Sequence, residues 1–238
     1  MKTKFNALGA AIVLLSASAL TFAAVDGLSV KRQPKEGQAI KLRLKAELEI
    51  AGQQATYTGL VQQKVTKVET DGTYTEEEQQ VQGKAKFGDQ EIDVPDTGAH
   101  PVVYNADGSL KEIKGDEQTA GAASYRMTNL GVIIDSGKPL AVGDTWTVEI
   151  KADSKTGAVA AKAEYKVLAE EKVGDLDTIK VKATIKESEG AEPASSEGTY
   201  WVVKTDGTLA KAEVKWLNAP FPGAPAPITA TVSMVREN

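Results

Sequence analysis

Between Ile40 and Ile50 the chain alternates without a slip. Ile40, Leu42, Leu44, Ala46, Leu48 and Ile50 are apolar, and Lys41, Arg43, Lys45, Glu47 and Glu49 stand between them. Side chains along a strand point to opposite faces in turn, so this is a long strand with one dry and one wet face. The same device follows Gly143, where Trp146, Val148 and Ile150 alternate with Thr145, Thr147, Glu149 and Lys151, and it returns in Ile179, Val181, Ala183 and Ile185 against Lys180, Lys182, Thr184 and Lys186. Sheets wetted on one side are antiparallel as a rule, because parallel ones are covered on both faces by their crossover helices. Turn chemistry agrees: Asp71-Gly72, Asp107-Gly108 and Asp206-Gly207 sit between β-like runs and supply the positive φ that tight hairpins need, with Gly52 and Gly157 marking further turns.

Alternation stops between Thr119 and Gly137. Ala122, Ala123, Tyr125, Arg126, Met127, Leu130, Ile133 and Ile134 predict a helix that ends near Asp135-Ser136-Gly137. On either side the chain looks like two copies of one design, read either as a duplication or as the repetition of hairpins that any β meander shows. Each half opens on a glycine and a long alternating strand, at Gly37 and Gly143, and each reaches a matching Asp-Gly hairpin; 106 residues separate the glycines and 99 separate Asp107 from Asp206. The expectation is a mainly β protein: two similar antiparallel β-meander units joined by one helix, forming a curved sheet with the helix in its concavity or two sheets face to face. The first unit spans residues 24–118, the connecting helix 119–137 and the second unit 138–238. Four prolines in residues 219–227 make that stretch a stiff surface loop between two strands.

The first 23 residues read as a secretory signal peptide. Lys2 and Lys4 precede an apolar stretch from Ala7 to Leu20, and Thr21 and Ala23 occupy the positions that a signal peptidase inspects. The stretch is shorter than the ~20 apolar residues of a spanning helix, and no second one follows, so no membrane span is expected after cleavage. The destination is periplasmic or extracellular. The signal removes two of the 28 basic residues and none of the 33 acidic ones, taking the formal charge from −5 to −7. With lysines spread along the strands, this balance argues against nucleic acid as a partner.

Much chemistry is missing. The absence of cysteine excludes disulfides, thiolate metal sites and a cysteine nucleophile, and His100 is the sole histidine. It precedes Pro101 at a strand start, with no Gly-x-Ser-x-Gly elbow anywhere, so a Ser/His/Asp hydrolase finds no support. A catalytic zinc wants several His or Cys ligands. Calcium-loop spacing before Asp107 is broken by Val103 despite Asn105. Glu76, Glu77 and Glu78 are the densest acidic cluster; Glu77 points away from its neighbours in a strand, and the run into Gln79 and Gln80 reads as a solvated edge or loop. No phosphate cradle or dinucleotide fingerprint is present, and neither an enzyme nor a cofactor is expected.

The three tryptophans are the ligand-contact candidates. Trp146 lies on a dry face with Val148 and Ile150. Trp201 and Trp216, with Val203 and Val214 in their phase, are expected to pack together on one face of the terminal hairpin. One-sided strands with a single helix to cover them leave apolar surface for a binding site.

The phrase Lys138-Pro-Leu-Ala-Val-Gly-Asp-Thr-Trp146, followed by a late Asp-Gly hairpin, resembles a motif of bacterial secreted β-rich proteins of unknown function. These are similar in style to the convex-sheet lipoprotein-localisation-factor carriers. That resemblance implies a curved antiparallel sheet holding a lipid beneath a helical lid, and it carries over no site residue. The function expected is an exported, non-enzymatic binding protein whose partner is an apolar small molecule, a lipid or an envelope component. The alternative is a structural or protein-interaction module of the bacterial envelope, using an edge strand or the proline loop.

Overall fold

The computed structural model describes residues 27–50, 52–190, 192–222, 224 and 226–237; the expected signal peptide, residues 1–23, lies outside them. The protein is mainly β, with every strand in one antiparallel sheet. The first half supplies β1 (Ala39–Ile50), β2 (Gln53–Val68), β3 (Tyr74–Phe87), β4 (Gln90–Val94), β5 (His100–Tyr104) and β6 (Leu110–Ile113). The second supplies β7 (Thr145–Ile150), β8 (Ala161–Val173), β9 (Leu176–Glu187), β10 (Ser195–Val203), β11 (Leu209–Ala219) and β12 (Ile228–Arg236). The order across the sheet is β6-β5-β3-β2-β1-β12-β11-β10-β9-β8-β7, with β4 added beside β3. The halves join where β1 pairs with β12, Ala46 opposite Val232, and β6 and β7 are left unjoined at the two ends. The expected curved sheet is thus a single open one.

Alternation decides which face turns inward. Leu42 and Ala46 in β1, Tyr165 and Val167 in β8 and Val181, Ala183 and Ile185 in β9 are all buried. One apolar cluster runs from Val30, Tyr74 and Val102 in the first half to Val181, Ile185 and Val214 in the second, so the core is continuous across both.

The connection between the halves fills the concavity. It holds α1 (Glu117–Ala120) and α2 (Ala122–Asn129). The helix ends at Asn129, earlier than the expected Asp135. Gly131 and the β-branched Val132, Ile133 and Ile134 oppose helix continuation, and the segment from Leu130 on takes tertiary hydrogen bonds instead. Its alternate carbonyls, Leu130 O, Val132 O and Ile134 O, accept hydrogen bonds from Ser196 Oγ at 2.6 Å, Tyr165 OH at 3.1 Å and Trp146 Nε1 at 2.9 Å. Leu130, Val132 and Ile134 are themselves buried. Arg126 of α2 clasps Glu187 of β9 through two bonds of 2.7 and 2.6 Å. Tyr125 both donates to Ile113 O and accepts from Ile113 N, which closes the free edge of β6.

The three Asp-Gly turns lie at one end of the sheet, each aspartate accepting the N–H two residues on, from Thr73, Ser109 and Thr208, at 2.9 Å. At two of them another segment crosses closely. Gln33 N donates to Asp206 O, and Asp135 N donates to Asp107 O, both at 2.8 Å. Each half thus lays the segment before its first strand across an Asp-Gly hairpin of the other half.

Candidate functional site

Helix α2 lies against β6 of the first half through Tyr125 and reaches β9 of the second through Arg126. Between α2 and the inner face of β3, β5 and β6 lies a cleft of about 870 Å³. Its floor is Gln80, His100 and Ile113. Ser124, Met127 and Thr128, three and four residues apart on α2 and therefore on one helical face, form one wall. The loop before β5, residues 96–99, and the segment 114–116 after β6 form the outer wall, and Phe221 and Pro222 of the proline-rich loop reach across from the far side. Phe221 is 44% exposed. Met127 also packs against a second inner cluster, built on Ala46, Ala230 and Val232 with Leu44, Leu48, Trp216 and Ala224 partly buried around it. The cleft is therefore continuous with apolar surface at the sheet centre. A narrower gap of about 330 Å³ separates β6 from β7, with Tyr125 and Asn129 among its lining.

Deeper along the inner face sits a polar network. Tyr74 and Tyr104 stack with centroids 5.3 Å apart. Arg32, before β1, donates to Glu76 Oε1 at 2.9 Å and to Gln38 Oε1 at 3.0 Å. Tyr104 OH donates to Glu78 Oε1 at 2.8 Å. Burial pushes both carboxyls above the usual carboxylate range, Glu76 against the pull of Arg32 and Glu78 against that of Tyr104. Burial likewise raises the Tyr74 and Tyr104 hydroxyls. The acidic run is thus no solvated edge: β3 pairs on both sides, and only Glu77 of the three faces solvent. Sequence reading missed this because Arg32 and Tyr104 arrive from distant segments. The carboxylates are engaged in fixing the segment before β1 and the β3–β5 pair.

The tryptophans part company. Trp146 is buried in the core, stacked on Tyr165 at 4.8 Å. Trp201 and Trp216 do not share a face. Trp216 pairs with Ser196, and Ser196 lies an odd number of residues from Trp201, so the strand pleat sends the two rings to opposite sides. Trp201 packs on the outer face with Val203 and Ala210, lies under the ammonium groups of Lys180 and Lys211, and donates to Glu171. Trp216 is on the inner face, where its buried Nε1 donates to no acceptor among the described residues. His100 opens β5 as expected and lines the cleft. Among the described residues no cluster of three or more His, Asp or Glu could hold a metal ion, and no helix is long and apolar enough to cross a membrane.

No family model matches the chain, and no curated protein matches it. Solved structures resemble it in fold. Lipovitellin, in a structure of its lipid–protein interactions, aligns over 86% of this chain with 11% identity and a TM-score of 0.50. The chain spans a quarter of the lipovitellin chain's length. The hypothetical lipoprotein YmcC from Escherichia coli aligns over 87% of this chain and 90% of its own, with 12% identity and a TM-score of 0.35. A Bacteroides fragilis protein with a YmcC-like fold aligns over 89% of this chain and all of its own, with 8% identity and a TM-score of 0.34.

The nine-residue phrase at 138–146 has an architectural use. Leu140 forms a two-way bridge with Leu28, Asp144 accepts from Ala141 N, Gly143 N donates to Val167 O, and Trp146 reaches Ile134 O. It steers the chain from the concavity into β7.

Proposed function

We propose that the protein is an exported, non-enzymatic binding protein for an apolar ligand of lipid type, held on the concave face of the sheet. The observation that carries this reading is the cleft between α2 and the first half of the sheet. Its volume falls within the roughly 300–1,000 Å³ of small-molecule sites, and it adjoins apolar side chains that are only partly buried, Leu44, Leu48 and Trp216 among them. The orphan Trp216 Nε1 supports it: an unmade hydrogen bond on a buried donor costs about 1–3 kcal/mol, a cost that an occupant of the inner face can remove. The fold shared with lipovitellin is compatible with it.

Purification from the envelope fraction, followed by extraction and mass spectrometry, should find a co-purified lipid. After delipidation, lipid addition should change tryptophan emission in the wild type and in Trp201→Phe, whose ring lies outside, and leave it unchanged in Trp216→Phe. Neither lipid nor emission change in the wild type would overturn the reading. A protein-interaction role draws support from exposed Phe221 on its proline-rich loop; retention of a specific envelope partner that Phe221→Asp abolishes, with no ligand bound, would favour it.

A further inference from the structure

His100 is the sole histidine in the chain, and the fold places it on the floor of the cleft. It opens β5 opposite Glu78 of β3. Two and four residues on, Val102 and Tyr104 belong to the inner core, so the strand pleat turns the imidazole to the same concave face. The residue is partly buried, and no hydrogen bond or ion pair ties its ring to another described residue. The charged groups about it come from each element that frames the cleft: Glu78 on β3, Asp96 in the loop before β5, and Lys114 and Asp116 after β6. Burial raises the Glu78 carboxyl, which accepts from Tyr104 OH at 2.8 Å and from Gln63 Nε2 at 3.4 Å. Histidine is the side chain whose ordinary pKa, roughly 6.5, lets it change charge between pH 5 and 8.

An apolar ligand that fills the cleft takes water away from the imidazole. The neutral ring loses little by this, whereas a protonated ring would hold its charge against hydrocarbon, which is costly. Occupancy and protonation therefore oppose one another. We infer that the cleft holds an uncharged apolar ligand at neutral pH and gives it up on acidification, with His100 as the group that takes the proton. The inference rests on the apolar-ligand reading above and adds a means of release. By linkage, a ligand that binds the neutral form alone expels a proton from the protonated fraction, and its affinity falls by up to about tenfold per pH unit on the acid side.

Dodecyl maltoside, kept below its micelle concentration, has no titrating group, so any pH dependence of its binding belongs to the protein. Its affinity for the delipidated mature protein is measured by calorimetry from pH 7.5 to 5.5, with far-ultraviolet dichroism checking the fold at each pH. Two buffers of different ionisation enthalpy at pH 6.5 count the protons. Affinity should fall about tenfold across the range, and binding at pH 6.5 should release about half a proton, as one histidine requires. His100→Gln, which keeps a polar side chain and takes no proton in this range, should remove both the slope and the proton release. Glu78→Gln, which keeps an acceptor for Tyr104, should retain both. Binding independent of pH or stronger in acid, or a slope that survives His100→Gln or vanishes in Glu78→Gln, would overturn the role of His100 and leave the apolar-ligand reading standing. Absence of maltoside binding at every pH would overturn both.

Discussion

At the residue scale, single groups decide where the chain can turn and where charge is tolerated. Gly207 has φ of +70°, and a Cβ there would lie 2.4 Å from the carbonyl oxygen of Lys31 in the segment that crosses it. Gly174 also has positive φ, +58°, but open space around it. Gly174→Ala should therefore cost about 1 kcal/mol, the strain of the left-handed conformation alone, and Gly207→Ala several times more, read from denaturant midpoints. Glu78, with Glu76, contributes a pH dependence. Its folded carboxyl is raised above the ordinary 4.5 by burial, so the folded chain keeps a proton that the unfolded chain releases, and stability falls as pH rises from 4.5 through the folded value. Glu78→Gln keeps an acceptor for Tyr104 and loses the charge; it should raise the melting temperature at neutral pH and flatten the profile above pH 4.5. The Asp-Gly turns were readable from sequence because their chemistry is local. The Glu76 and Glu78 partners were not, since Arg32 lies 44 residues from Glu76 and no local pattern announces it.

At the scale of elements, the strands follow from alternation, and the helix shows its limit. Apolar residues at 130, 133 and 134 fit a helical face, yet the helix stops at Asn129, and Ser196, Tyr165 and Trp146 donate to alternate carbonyls of the segment that follows. A tertiary ladder of this kind overrides a weak helical preference. Tyr165→Phe would bury Val132 O without its donor and should destabilise by about 1–3 kcal/mol, seen as a lowered melting temperature with the far-ultraviolet spectrum unchanged. The misplaced pairing of Trp201 and Trp216 has a similar origin. Phase within each strand was legible, whereas the register between strands, which fixes relative faces, depends on the whole hairpin and on the bulge after Trp201.

At the scale of the molecule, the halves interlock. Val65 exchanges hydrogen bonds with Gly37 and Gln38, and Val167 does so with Gly143 and Asp144. Along the sheet each half runs in the same sense, from β6 to β1 and from β12 to β7. The halves thus share these contacts and this strand order, and each buttresses an Asp-Gly hairpin of the other. Because the core is continuous across the β1–β12 seam, residues 24–118 and 138–238 expressed separately should fail to fold, and the mature chain should unfold in one transition by near- and far-ultraviolet dichroism. The inward gathering of apolar faces was visible in the sequence from the start. The cleft was not, because it forms between groups far apart in the sequence, Gln80 of β3, Met127 of α2 and Phe221 of the proline-rich loop.

The most direct measurement is a methyl-resolved NMR titration of the delipidated protein with dodecyl maltoside. Saturable shifts are expected at Met127 and Ile113, which line the cleft, with Val203 on the outer face unmoved. Saturable shifts confined to Val203 and its outer-face neighbours, or none at Met127 and Ile113 at saturating probe, would contradict it.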